Sequence, residues 1–167
     1  MKKLLLLDAD VIIDLHTLDL LNRIARSYQL YATGKVIEEA NHYFKDGSRF
    51  EIDLSGKVGE IENVQLTSLQ IISQEAHEAR LLIDAGELIS IAYLYQTEDD
   101  ISFCTCDSAA IRLVAYIGLE DKSISLEKAL RDTGYKARKL FPRHFEKTYR
   151  ENIKSGKTLR IQFKKLT

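Results

Sequence analysis

The 167-residue sequence predicts an α/β fold, a three-layer α/β/α sandwich around a mostly parallel sheet. Three observations carry that expectation. Strand-like apolar runs alternate with stretches of helical periodicity along most of the chain. The first run, Leu4 to Leu7, is unbroken leucine, which suits a parallel strand covered by helices on both faces. Asp8 and Asp10 follow at once. A carboxylate at the end of a buried strand is costly unless water, a donor or a cation offsets it, and strand ends are where open α/β sheets bind ligands.

The elements follow in order. Residues 3–8 form the first strand, and 10–16 and 17–28 two helical stretches, the second with Leu18, Leu21, Ile24 and Ala25 at helical spacing. A short strand is expected at Leu30 to Ala32. A helix from about Thr33 to Lys45 carries Glu38 and Glu39 and ends at Asp46-Gly47. Residues 47–66, broken by three glycines, read as an inserted hairpin or a long loop. Thr67 and Gln70 have capping-box spacing and open a helix to about Ile83. A helix starting at Asp84 carries the stripe Leu88, Ile91, Ala92 and Tyr95. Ile101–Thr105 is a buried strand, Asp107–Tyr116 a helix ended by Gly118, and Ser123–Ser125 a last core strand before a helix to Gly134.

Residues 1–134 thus form the domain, and 135–167 a basic C-terminal helix and terminal strand packed on it. Pro142 suits the first turn of that helix and Gly156 its C-terminal cap. Phe145, Tyr149 and Ile153 share an inward face. Arg143, Lys147, Arg150 and Lys154 share the opposite one, which either meets phosphates or is simply solvated.

Charge is divided unevenly. From Ser123 onward 13 Lys and Arg stand against four Asp and Glu, whereas residues 1–122 hold 11 against 21. An acidic body with a basic end fits a polyanion partner, or an end that covers the body. The acids interrupt the leading apolar run too early for a signal peptide, and no stretch is long enough to span a membrane, so a cytoplasmic protein is expected. Cys104 and Cys106 read as small core residues. His16, His42, His77 and His144 lack metal-ligand spacing.

The acids differ in how well local structure explains them. Asp10 stands directly before a helix expected near Val11 and suits its cap, whereas Asp8 does not. Asp84 and Glu87 have the spacing of an N-cap and its N3 partner. Asp107 suits a cap as well, yet shares with Asp8 the place just beyond a buried strand. One of Glu38 and Glu39 faces inward. Three or four carboxylates at one sheet edge cannot all stay ionised without a cation, and an all-oxygen set suits Mg²⁺ or Mn²⁺.

Four segments, in this order, resemble the PIN-domain nucleases: Leu4 to Leu7 with Asp8, Val36-Ile-Glu-Glu-Ala-Asn41, Asp84-Ala-Gly-Glu87 with its apolar continuation, and Thr105-Cys-Asp107 before Ser-Ala-Ala-Ile-Arg112. The likeness covers about residues 3–118. It implies Asp8, Glu39, Glu87 and Asp107 as catalytic and metal-binding residues, with Asp10, Glu38 and Asp84 as additional candidates; Arg143, Lys147, Arg150 and Lys154 lie in a tail with no clear family equivalent and are candidate nucleic-acid contacts by their charge alone. The likeness implies a Mg²⁺- or Mn²⁺-dependent endoribonuclease acting on RNA, with an antitoxin-type protein partner and a homodimer as further expectations. Position 10 is often Asn in the family, and Cys106 stands where a further acid sometimes precedes the last one. Two alternatives compete. One is a phosphohydrolase of the haloacid-dehalogenase type, although Val11-Ile12 replaces its Gly-Thr. The other is an inactive PIN-like module that binds RNA or protein. A dinucleotide-binding fold lacks support, since no Gly-x-Gly-x-x-Gly follows the first strand.

Overall fold

A computed structural model describes residues 1–136 and 138–164. The leucine run becomes the inner strand β1 (Lys3–Leu7), which pairs in parallel with β2 (Tyr28–Thr33) on one side and β6 (Ile101–Cys104) on the other. Beyond β2 lies β5 (Val58–Ile61), so the order is β5-β2-β1-β6 and every pairing is parallel. Between β2 and β5, β3 (His42–Lys45) and β4 (Ser48–Glu51) form a separate antiparallel hairpin.

Side chains alternate across a strand, and β1 uses both faces. Leu5 and Leu7 enter one core with Val11, Ile12, Leu15, Val36 and Leu126, while Leu6 enters the other with Ile72, Ile91, Phe103 and Leu113. The helices sort accordingly. On the first face lie α1 (Ala9–Thr17), α2 (Leu21–Ser27), α3 (Gly34–Ala40) and α7 (Leu126–Asp132). On the second lie α4 (Leu66–Glu78), α5 (Ala85–Gln96) and α6 (Ser108–Tyr116). The expected three-layer α/β/α sandwich is the fold observed. Leu5, Leu6 and Leu7 are wholly buried, each burial stabilising the fold by about 1.5–3 kcal/mol. No helix among the described residues is long and apolar enough to cross a membrane.

Several expected boundaries move. The third helix stops at Ala40 rather than Lys45, because Asp46-Gly47 closes the hairpin instead of ending a helix: both residues have positive φ, 51° and 77°, and Lys45 pairs with Ser48. Residues 47–66 therefore hold half of that hairpin and also β5, an edge strand of the main sheet that the sequence pattern hid behind Gly59 and Glu60. The expected Thr67–Gln70 capping box is absent. α4 starts earlier, and its Gln65 cap position is fixed by a tertiary bond, Gln65 N–H to Gln96 Oε1 at 2.8 Å. It ends at Glu78, not Ile83, since Arg80 turns left-handed at φ 57°. Ser123–Ser125 contributes a single parallel bridge between Ser123 and Phe103.

The C-terminal segment differs most. Pro142 opens a short 3-10 turn, Pro142–His144, and the helix proper is α8 (Glu146–Lys164). Gly156 lies inside it rather than capping it. A terminal strand is excluded up to Lys164, and any part expected beyond it lies outside the described residues. The reason for the glycine is contact: a Cβ there would strike the Arg112 carbonyl oxygen and lie 2.7 Å from the Ala115 Cβ, so its absence lets α8 press onto α6. Asn152 locks the crossing, accepting from Arg112 Nε at 3.1 Å and donating to Ser108 Oγ at 3.3 Å. Gly156→Ala should therefore lower stability by about 1–3 kcal/mol in chemical denaturation, although alanine is the better helix former. A gain in stability would contradict this packing.

Candidate active site

β1 and β6 end side by side, with Leu7 level with Cys104 and the Asp8 N–H donating to the Cys104 carbonyl at 3.1 Å. From β1 the chain fills the sheet toward β2 and β5, then returns across β1 to place β6 on its other side. The carboxyl ends of β1 and β6 therefore flank the topological switch point, the crevice where open α/β sheets bind ligands.

Asp8 leaves β1 into this crevice and is only 5% exposed. It occupies the N-cap position of α1, which starts at Ala9; Asp10, expected to be the cap, lies exposed in the first turn. Yet Asp8 makes no side-chain cap bond. Its Oδ2 accepts from Thr105 Oγ1 at 3.0 Å, and the same hydroxyl oxygen accepts the Asp107 N–H at 3.1 Å. Thr105 thereby links the two acids. Asp107 caps α6, its Oδ1 accepting from the Ala110 N–H at 2.8 Å, which leaves the other oxygen for the crevice.

Glu87 enters from the first turn of α5, 8% exposed, with the Asp84 N–H donating to its Oε2 at 3.3 Å. Asp84 is the N-cap of that helix. Glu39 approaches from α3: a Cβ on Gly86 would lie 2.9 Å from its Oε2, so glycine is what lets this carboxylate rest on the start of α5. Its Oε1 stands 3.7 Å from Lys35 Nζ. Glu38 points out, its side chain 74% exposed, and stays apart.

The carboxylates share one electrostatic environment. Burial above all pushes Asp8 up to about 6, against hydrogen bonds from the Ala9 N–H and Thr105, with the charges of Asp10 and Asp107 adding to the rise. Burial again leads in pushing Glu87 up to about 8, followed by the charges of Asp8 and Asp107. Two acids thus hold protons more tightly than free carboxylates do. Among the described residues no group of three or more Asp, Glu, His or Cys is arranged so as to hold a metal ion. Asp8, Glu87 and Asp107 act on one another through charge. The donor set is oxygen alone and would suit a hard divalent cation. Cys104 and Cys106 stay out of this chemistry: burial pushes both thiols up, Cys106 to about 12.

The basic residues divide. Arg143, expected on the helix stripe, lies before α8 in the 3-10 turn and bonds Asp14. Lys147, Arg150 and Lys154 are exposed on α8, with Arg150 Nε 2.9 Å from Glu146 Oε1. Arg150 and Lys154 line a cavity of about 660 Å³ with Lys3, Tyr28 and Ser102, at the opposite, amino end of the strands. Sequence reasoning missed the role of Thr105 and the buried Asp14. Thr105 carried a usable signal, a hydroxyl at a strand end two residues before an acid.

The raised acids fix the sign of a pH effect. A carboxyl whose folded pKa lies above its unfolded value loses stability as pH rises from the ordinary carboxylate range to the folded value. Metal-free Glu87→Gln should therefore melt higher than wild type at pH 8, by about 1–3 kcal/mol in stability, with the curves converging near pH 4. An equal gap at both pH values would contradict the coupling. Comparison of the chain with family models, with curated proteins and with solved structures returns no match.

Proposed function

We propose that the chain is a PIN-like, divalent-metal-dependent endoribonuclease. The observation that carries the reading is the pairing of Asp8 and Asp107 at the ends of adjacent parallel strands, tied through Thr105 and joined electrostatically by Glu87. Strand ends at a switch point supply a rigid base for chemistry, and helix starts bring the remaining acids to it.

Asp8, Asp107, Glu87 and Glu39 would hold the cation, Mg²⁺ or Mn²⁺. When bound it supplies Lewis-acid activation of water and neutralises charge on the leaving oxygen of a phosphodiester. The protein's own part is positional. Thr105 keeps one oxygen of Asp8 turned toward β6 and holds the Asp107 backbone beside it. Glu87 would serve in its ionised form, since a bound cation offsets the burial and the charges of Asp8 and Asp107 that raise its proton affinity. Asp10, exposed at the rim, adds negative charge that a bound cation offsets. Arg150 and Lys154, at the opposite end of the strands, would add only long-range attraction for a polyanion, together with Lys147 on the same helix.

Preference for RNA, an antitoxin-type protein partner and a homodimer belong to the same proposal and rest on the sequence resemblance. A cytoplasmic location goes with it, and the two free cysteines accord with a reducing compartment.

Incubation of the purified chain with single-stranded RNA and DNA should give RNA cleavage with Mg²⁺ or Mn²⁺ and none in chelator. Asp8→Asn should lose at least about 100-fold in rate, while remaining folded by circular dichroism. Cleavage that survives in chelator or in the variant would overturn the carboxylate mechanism, and RNA binding without cleavage in any metal would favour a binding module. Thr105→Val removes the donor to Asp8 and the acceptor of the Asp107 N–H. It should lower the rate about 10–100-fold and stability by about 1–3 kcal/mol. Unaltered turnover would show that Thr105 has no positioning role.

A further inference from the structure

Arg143 sits where the C-terminal segment meets α1, and its setting differs from that of the other basic residues. Its Nε and Nη2 both reach Asp14 Oδ2, at 3.0 and 2.5 Å, and the His144 Nε2 lies 2.6 Å from the same oxygen. Asp14 is buried, 5% exposed, and lies one helical turn beyond Asp10, so both acids are on the same face of α1. Arg143 is thus anchored near Asp10, whose charge acts both on it and on Asp8. The charge of Asp14 acts on it as well.

We propose that Arg143 holds a backbone phosphate of the nucleic-acid strand at the mouth of the carboxylate crevice, with Asp14 positioning its guanidinium for that contact. The assignment rests on the nuclease reading above and adds to it the residue that receives the substrate's phosphate chain.

Three features support it. First, the contact with Asp14 occupies Nε and Nη2 only. Nη1 forms no hydrogen bond among the described residues, and the side chain is 47% exposed. Second, the fork is held still. The Phe141 ring lies 5.8 Å from its central carbon, within cation–π range, and the two bonds to Asp14 fix its plane. A planar, pre-set guanidinium matches phosphate oxygens better than a mobile ammonium does. Third, charge demands such a group. A polyanion approaching Asp8, Asp10, Glu87 and Asp107 meets repulsion, which a half-exposed cation on the same helix face offsets. His144, with a wholly buried side chain, already bonds the Asp14 carboxylate from inside, so covering that charge does not by itself require a half-exposed arginine.

The test is binding of a single-stranded oligoribonucleotide by the full-length chain in chelator, followed by fluorescence anisotropy across a series of KCl concentrations. Arg143→Ala should weaken binding about tenfold at low salt and flatten the slope of log K against log salt by about 0.7, one single-strand phosphate contact. Asp14→Asn should keep the wild-type slope, since the cation remains. Arg143→Lys should restore the slope and part of the affinity, which covers the case in which the alanine variant unfolds. A wild-type slope in folded Arg143→Ala, an Asp14→Asn loss equal to that of Arg143→Ala, or a flattened slope in Arg143→Lys would overturn the assignment. Failure of the wild-type chain to cleave RNA in any metal would count against the nuclease reading alone, because this readout needs no cleavage.

Discussion

Asp8 is a carboxylate that the fold buries at the end of its innermost strand and then surrounds with further acids. Each step raises the cost of its charge. Burial removes water, and Asp10 and Asp107 add repulsion, against which stand the Thr105 hydroxyl and the Ala9 N–H. The arrangement is expensive for a structural residue, since asparagine would accept the same hydroxyl bond without a charge. Proteins keep such destabilising groups where function needs them, and the surrounding fold supplies the stability that permits it.

That supply is visible in β1. Leu5, Leu6 and Leu7 are buried between two helical layers, and parallel neighbours on both sides fix the strand's register. The register decides the site. Because Leu7 pairs with Cys104, Asp8 stands opposite Thr105, and the Asp107 N–H falls within reach of the same hydroxyl. A one-residue slip would still present leucine to both layers but would separate the acids, so the register matters most at the site. The helices add what the strands lack. Glu87 comes from the start of α5, and Gly86 leaves room for Glu39 beside it.

Much of this was legible in the sequence because it rests on local pattern. Leucine runs and helical spacing marked the sheet and its covering layers, and Asp8 and Asp107 stood out as acids just beyond apolar strands. What escaped rests on tertiary contact. Arg80 and Asp19 turn left-handed without being glycine, so two helix ends carried no signal. Asp46-Gly47 is a stop for a helix and a turn for a hairpin, and only the pairing of Tyr43 with Phe50 decides between them. Gly156 looked like a cap because its partner, the Arg112 backbone, is remote in sequence. The same remoteness hid Asp14, whose partners Arg143 and His144 lie some 130 positions away. Asp8 escapes notice as a cap because the sequence pattern places the helix start near Val11, whereas α1 begins at Ala9.

The C-terminal segment then acquires a definite place. Its 3-10 turn docks on α1 through Asp14, and α8 crosses α6 close to Ser108, the residue after Asp107. The helices that follow Asp8 and Asp107 are therefore both held by a part of the chain that carries the opposite charge. On the proposed function, Asp8, Glu87 and Asp107 act as one charged unit, and a divalent cation bound there would displace the protons they hold. Calorimetric titration of the metal-free chain with Mn²⁺ at pH 7, repeated in buffers of different ionisation enthalpy, tests it directly. The account predicts saturable binding with release of about one proton per ion, lost in Asp8→Asn. Binding without proton release, or equal binding by the variant, would contradict it.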